Sequence, residues 1–148
     1  MKRLQLRSLK RDEGSAAIEA AIVVPVLIAF VCMAIAGGRI VMSGSKVDAA
    51  AQDAAREASI HRTAASAQQA ARAAALESLD DQGITCASSS VSVNTGGLNV
   101  PIGQVATVSA TVQCTVDLSD LLLPGAPGSK TMQATASSVV DQYRQRGD

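Results

Sequence analysis

The feature that most constrains this chain is an uncharged, apolar stretch of 19 residues that runs from Ala20 to Gly38. A helix of this length crosses about 30 Å of hydrocarbon, which is the thickness of a bilayer core. Five basic residues precede the stretch, whereas only Arg39 and Lys46 follow it closely. Because cytoplasmic flanks carry the excess of basic residues, the sequence predicts a single pass through the cytoplasmic membrane, with a cytoplasmic N-terminus and an extracytoplasmic C-terminal part.

The remaining apolar content does not suit a large core. Apolar residues make up 47% of the 148 residues, but the chain has one Phe, one Tyr and no Trp, and much of the total is alanine. Alanine buries little area, so we expect a thin core. Beyond residue 14, 8 basic and 11 acidic side chains remain, which is a formal charge of −3. No basic patch with interleaved aromatic residues lies there, so nucleic-acid binding is not expected.

A carboxylate, Glu19, lies directly before the apolar stretch and separates three interpretations of the N-terminus. A cleavable secretory signal, cut after a motif with small residues at Ala34 and Ala36, leaves this acid unexplained. A plain signal anchor places it at the membrane interface, where its charge costs little. A lipoprotein signal is excluded, because bulky residues precede Cys32.

The third interpretation takes Glu19 together with Gly14, which is followed by four small or apolar residues and then by the acid. This spacing resembles the processing site of type IV prepilins, in which a membrane peptidase cuts after the glycine. The resemblance implies a basic leader of residues 1–14 and a mature chain that starts at Ser15. Glycine suits such a bond because it has no side chain to obstruct the peptidase.

A proline, Pro25, lies six residues after Glu19, and the pair resembles the opening of the TadE-like family. The similarity continues through Arg39 to the alanine- and arginine-containing residues 47–60. The family often has an aromatic residue before the arginine, where glycines 37 and 38 stand here. The resemblance implies a minor pilin or pseudopilin, that is, a structural or assembly subunit of a tight-adherence type pilus.

The resemblance also implies roles and partners. Glu19 would neutralise the new α-amino group at Ser15 of a neighbouring subunit, which selects the axial register of the assembly. Pro25 cannot donate a hydrogen bond to the carbonyl of Ala21, so it is expected to bend or loosen the helix. The implied partners are the membrane, a prepilin peptidase, a pilus platform with a secretion ATPase, the major pilin and other minor pilins. The protein would be held in the membrane and incorporated into a surface pilus.

The segment beyond the membrane helix has a helical pattern. Residues 43–45 interrupt it, and Ser45 with Asp48 three residues later is typical of a capping box. A single alanine-rich helix is therefore predicted from Lys46 to Gln82, with Gly83 as its terminator. The residues predicted to share its buried face are Val47, Ala50, Ala51, Ala54 and Ala58.

After Gly83 the apolar period changes from helical to two, which indicates strands. The strongest strand signal covers residues 106–118, and a weaker strand, 84–93, changes its apolar phase near Ser89, where a bulge is expected. A third strand is predicted from Thr131 to Tyr143. The third strand's predicted buried face consists of Met132, Ala134, Ala136 and Val140. The fold class is therefore α+β, with a long helix followed by a small three-stranded antiparallel sheet of pilin-like type.

Cysteines 86 and 114 fall on the first two predicted strands. A hairpin centred near Val100 would set them opposite each other, and an oxidising compartment permits a disulfide between them. Cys32, within the apolar stretch, is interpreted as a small apolar residue. His61 has no cysteine or second histidine at metal-ligand spacing and is expected to be solvated.

The predicted organisation is a leader (1–14), a transmembrane helix (15–42), an alanine-rich exported helix (43–83) and a β-sheet region (84–148). The sequence contains no serine–histidine–acid arrangement, phosphate loop or metal cluster, so we expect no catalysis, cofactor, metal or small-molecule substrate. The alternative to the pilus interpretation is a membrane-anchored or secreted binding module unrelated to pili.

Overall fold

The structure of this chain is a computed structural model that describes residues 13–121, 125 and 127–143. Residues 1–12 of the expected leader lie outside the described residues. The described residues form helices followed by a three-stranded antiparallel sheet, which confirms the predicted α+β class.

The chain divides into two compact units. The first unit is Met1–Gly38, and its described part belongs to the apolar helix. The second unit is Arg39–Asp148, which contains the remaining helices and the sheet.

The first helix, α1, extends from Glu13 to Ile60. The predicted interruption at residues 43–45 is wrong, because the helix continues through them. The hydroxyls of Ser43 and Ser45 each donate to the carbonyl oxygen four residues earlier, at 2.9 and 3.3 Å. Serine hydroxyls that are satisfied in this way remain within a helix, so Ser45 does not act as a cap.

The helical segment ends instead at His61–Thr63, and a second helix, α2, spans Ala64–Asp81. The prediction of one helix from Lys46 to Gln82 is therefore wrong. Thr63 is the N-cap of α2, and its side chain accepts a hydrogen bond from the backbone N–H of Ser66 at 3.3 Å. This bond satisfies one of the free N–H groups at the start of the helix.

Gly83 terminates α2 as predicted, with a φ of +67° that suits glycine. Its N–H donates to the carbonyl oxygen of Asp80 at 2.8 Å, and the N–H of Ile84 donates to that of Leu79 at 2.9 Å. These two bonds form a Schellman motif, which satisfies carbonyl groups at the helix end.

The strands are β1 (Ser88–Asn94), β2 (Ala106–Asp117) and β3 (Ser129–Val140). They lie in the order β1-β2-β3, and both pairs are antiparallel. A 3₁₀ helix, Gly96–Asn99, lies between β1 and β2, and a short helix, α3 (Leu118–Leu121), follows β2. Compared with the sequence prediction, β3 begins two residues earlier and ends three residues earlier.

The register between β1 and β2 is continuous, from Ser88 opposite Thr115 to Asn94 opposite Ser109. The bulge expected near Ser89 is therefore absent from this pair of strands. β1 also begins four residues later than the sequence predicted.

The core of the second unit lies between the two helices and one face of the sheet. The predicted alanine face of α1 is buried, with each of its members at 0% exposure: Val47, Ala50, Ala51, Ala54 and Ala58. α2 adds buried residues at intervals of four: Ala67, Ala71, Ala75 and Leu79. The largest fully buried side chains of the sheet are Val108, Val112 and Cys114. Since most of these side chains are small, the helices and the sheet approach closely around a thin core.

Candidate functional site

The part of α1 in the first unit is apolar and unburied. Of the described residues, α1 is the one helix long and apolar enough to cross a membrane, judged by length and composition. Its large apolar side chains are exposed, and they include Ile22, Leu27, Phe30 and Ile35. Because soluble proteins rarely expose a continuous apolar surface of this size, the helix fits a membrane anchor.

Glu19 lies on the exposed surface near the start of this apolar segment. Ser15 precedes it by four residues in α1, so the two backbone positions share one side of the helix, about 6 Å apart along its axis. Among the described residues, the one contact at salt-bridge distance joins His61 to Glu57, so Glu19 has no such partner there. A carboxylate in this position needs a counter-charge when it enters hydrocarbon.

Pro25 lies inside α1, and the helix runs through it. The carbonyl of Ala21 cannot receive the usual hydrogen bond from the backbone of a proline four residues later. Gly14 lies at the second residue of the same helix. All four residues predicted for processing and assembly, namely Gly14, Ser15, Glu19 and Pro25, therefore belong to one helical segment.

In the second unit, side-chain hydrogen bonds join the elements that surround the core. The Lys46 ammonium on α1 donates to the carbonyl oxygen of Gln82 at 2.7 Å. The hydroxyl of Ser78 on α2 donates to a carboxylate oxygen of Asp53 on α1 at 2.7 Å. These bonds link α1 to the C-terminal end of α2.

The disulfide expected from the sequence is present between Cys86 and Cys114, with 5.4 Å between the Cα atoms. Its geometry differs from the expected one, because Cys86 precedes β1 and Cys114 lies opposite Ser89 in the β-ladder. Cys32 is a free, exposed cysteine on the apolar part of α1.

The side chain of His61 is 32% exposed, and its Nε2 lies 3.3 Å from Oε1 of Glu57 one turn earlier. Within residues 13–121, 125 and 127–143, no group of three or more His, Cys, Asp or Glu side chains is arranged to hold a metal ion.

A cleft of about 370 Å³ lies in the second unit between α1, the segment that follows α2 and the end of β2. Arg39 and Lys46 from α1 and Asp120 from α3 line it together. The sequence analysis did not identify this site. The seven-residue spacing of Arg39 and Lys46 on one helix was the available signal, but Asp120 is too distant in the sequence to be associated with them.

These features define a class of protein: a small α+β unit that contains a disulfide and is connected to an N-terminal apolar helix fit to anchor it in a membrane. The comparison with protein families makes this more specific. Residues 14–56 match the family described as TadE-like protein. The resemblance inferred from Gly14, Glu19, Pro25 and Arg39 is thereby confirmed, and this segment of the chain is TadE-like.

The match begins at Gly14 and ends at Arg56, so it lies within α1. α2 and the sheet are outside it. No curated protein and no solved structure matches the chain. At the level of the family, the match supports a pilus-associated role like that of a minor pilin, in a structural rather than an enzymatic kind of protein.

Proposed function

We propose that this chain is a TadE-like minor pilin or pseudopilin, a structural or assembly subunit of a tight-adherence type pilus. The observation that carries the proposal is the extent of the family match. It starts at Gly14, where the leader is expected to end, and continues along α1 through Glu19 and Pro25 to the buried alanine face of the second unit. One continuous helix thus combines an unburied apolar segment with a segment that packs on the sheet.

In this proposal a prepilin peptidase cuts after Gly14, and Ser15 becomes the first residue. Glu19 then lies just beyond the first turn of α1, about 6 Å along the helix axis from Ser15. On insertion scales an unpaired charged group costs about 2.5 to 3.5 kcal/mol at the centre of a membrane helix and less near its end, where Glu19 lies. Pairing Glu19 with the α-amino group of a neighbouring subunit removes part of that cost and favours assembled helices over isolated ones.

The proposed topology follows from the flanking charges. The basic residues before α1 remain in the cytoplasm, and the second unit lies on the extracytoplasmic side. A disulfide between Cys86 and Cys114 suits such an oxidising compartment. The proposed partners are the prepilin peptidase, the platform with its secretion ATPase, the major pilin and other minor pilins.

Pro25 is proposed to loosen α1 where the carbonyl of Ala21 lacks its donor. A looser helix would assist the extraction of the subunit from the bilayer into the assembly. Replacing Pro25 with Ala should leave processing unchanged and lower the amount of subunit recovered in pili.

The first experiment determines the N-terminus of the mature protein by mass spectrometry, after expression with the peptidase and the pilus machinery. A start at Ser15 is expected. Gly14→Leu should leave the leader attached, whereas Gly37→Ala is a matched control, because its added methyl group meets no atom within 4 Å. A start at Gly37 would indicate an ordinary secretory signal, and an intact leader in the unmodified protein would indicate a plain anchor, as in a binding module unrelated to pili.

The second experiment tests the carboxylate. Glu19→Gln keeps the shape of the side chain but removes its charge, so processing should continue while incorporation into pili falls. Immunoblots of sheared pili and of the membrane fraction measure the two separately. Normal incorporation of this variant would remove the proposed role of Glu19.

A further inference from the structure

We propose that the cleft between Arg39, Lys46 and Asp120 binds the headgroup of a phospholipid that carries a primary ammonium group. The inference rests on the membrane location given under the proposed function. It adds a ligand to the second unit, and it concerns residues other than those proposed for processing and assembly.

The charges around the cleft match those of such a headgroup. Two cations, Arg39 and Lys46, and one carboxylate, Asp120, line the same space. A phosphodiester carries one negative charge, and guanidinium and ammonium groups are the usual donors to phosphate oxygens. The carboxylate complements a primary ammonium, which can donate up to three hydrogen bonds.

The Lys46 side chain is held in position by its bond to the carbonyl oxygen of Gln82, which is 2.7 Å long. An ammonium has three donors, so two remain for a ligand. Because Lys46 is only partly exposed and its geometry is fixed, a phosphate oxygen meets a donor that needs little reordering.

The apolar side of the cleft is formed by Met42, Ile84 and Val116. Its volume of about 370 Å³ is within the range of roughly 300 to 1,000 Å³ that is typical of small-ligand sites. A phospholipid headgroup combines a charged end with an apolar glycerol and acyl region, so this mixed lining suits it better than it suits a free inorganic anion.

The sequence places the cleft near the membrane surface. Arg39 directly follows Gly38, the last residue of the uncharged stretch. Lys46 lies seven residues further along α1, which is about 10 Å in a helix. Each polar layer of a bilayer is about 5 to 8 Å thick, so when the uncharged stretch spans the hydrocarbon, Arg39 lies within this layer and Lys46 just beyond it.

These features predict selectivity among headgroups. A quaternary ammonium, as in phosphatidylcholine, cannot donate a hydrogen bond to Asp120. Phosphatidylglycerol has no cation, so Asp120 would lie close to an anionic lipid without compensation. Phosphatidylethanolamine satisfies all three charged residues and should be preferred.

The test uses the full chain in nanodiscs that contain equal amounts of the three lipids. Native mass spectrometry after release into detergent counts the lipids retained by each protein molecule. We expect phosphatidylethanolamine to be retained about tenfold more than phosphatidylcholine, as expected for a hydrogen bond to a charged group. Equal retention of the three lipids would overturn the proposal.

Variants separate the parts of the site. The double substitution Arg39→Gln and Lys46→Gln should abolish retention of all three lipids, and Asp120→Asn should remove the preference for phosphatidylethanolamine over phosphatidylglycerol. Arg62→Gln together with Arg72→Gln is the matched control, because this pair also removes two cations, from exposed positions outside the cleft lining. Circular dichroism of each variant verifies that the fold is kept. If the control pair lowered retention as much as the substitution of Arg39 and Lys46, general charge attraction would explain the binding and the proposed site would be contradicted.

Two soluble probes identify the source of the phosphate. Glycerophosphoethanolamine should compete with the lipid, whereas inorganic phosphate should not. Competition by inorganic phosphate alone would indicate an anion site and contradict the lipid proposal. Fractionation and N-terminal sequencing of the same protein test the proposed function independently. A chain that is membrane-held and processed but shows no lipid preference would contradict this inference and leave the proposed function intact.

Discussion

Cys114 lies opposite Ser89 in the β-ladder, but its sulfur atom is bonded to that of Cys86, which precedes Ser89 by three residues. Cys86 precedes β1, so the disulfide connects the segment that links α2 to β1 with the C-terminal part of the central strand. The bridge spans a sequence separation of 28 residues and closes the hairpin that contains the 3₁₀ helix. It therefore fixes the position of the sheet relative to the end of α2.

The first prediction concerns the contribution of this disulfide to stability. Replacing Cys86 and Cys114 together with alanine should lower the free energy of unfolding by about 2 to 4 kcal/mol, because the loop is no longer closed in the unfolded chain. Denaturant titration of the full chain in detergent, followed by circular dichroism, measures the change. Cys32→Ala is the control, since that cysteine is free and exposed. Equal stability of the double variant and the control would contradict the prediction.

The two cysteines should also differ when each is replaced singly by serine. Cys114 is fully buried among apolar neighbours, whereas Cys86 is half-buried. Both substitutions break the bridge, but a hydroxyl in place of the Cys114 sulfur must also be buried in apolar surroundings, at a cost of about 1 to 3 kcal/mol. Cys114→Ser is therefore expected to unfold at lower denaturant concentration than Cys86→Ser. The reverse order would show that burial does not distinguish the two sites.

Thr63 provides a prediction about the turn between the helices. Its side chain accepts the hydrogen bond from the N–H of Ser66, so Thr63→Ala should destabilise the second unit by about 1 kcal/mol, the usual effect of removing an N-cap. Thr63→Ser keeps the hydroxyl and should restore most of the loss. Thermal unfolding of the three proteins makes the comparison. An equal loss in Thr63→Ser would indicate that the methyl group, not the cap, matters.

The parts of the fold that the sequence predicted well depend on local periodicity. The alternation in β2 and the helical spacing of Val47 to Ala58 identified the buried faces correctly. In both cases burial recurs with the period of the element, so a single sequence contains the signal.

The helix boundaries were not predictable in the same way. Ser43 and Ser45 are typical of a helix break, yet their hydroxyls bond to carbonyls within α1. The actual break at His61–Thr63 lies between two alanine-rich segments of similar composition. Its position is set by packing, since α2 must fold back to place Ala67 to Leu79 in the same core as α1.

The candidate sites also differ in whether their residues are close together in the sequence. Gly14, Glu19 and Pro25 are close in sequence, so their spacing was sufficient to predict the family that the comparison confirms. The cleft requires Arg39 and Asp120, which are brought together by the fold of the second unit. The partner proposed for Glu19 lies on another chain, and neither the spacing nor this fold identifies it.

The alanine core should tolerate little added volume. Ala54 on α1 has no exposed surface, so Ala54→Leu should destabilise the second unit by about 1 to 3 kcal/mol through overpacking. Ala73→Leu makes the same change at an exposed position of α2 and should have little effect. Thermal unfolding in detergent compares the two. Equal stability of the two variants would show that the core around Ala54 can accommodate a leucine side chain.

The last prediction concerns two glycines that differ in their surroundings. A methyl group on Gly97, in the 3₁₀ helix, would overlap the backbone carbonyl of Thr107 on β2. Because neither backbone segment can move without disturbing the sheet, Gly97→Ala should lower the free energy of unfolding by about 1 to 3 kcal/mol. A methyl group on Gly44, within α1, meets no atom within 4 Å. Gly44→Ala should therefore stabilise the helix by about 0.5 to 1 kcal/mol, since alanine loses less backbone entropy there. Denaturant titration should therefore show a lower unfolding midpoint for Gly97→Ala and a higher one for Gly44→Ala. Midpoints that shift in the same direction would contradict one of the two explanations, backbone overlap or helix propensity.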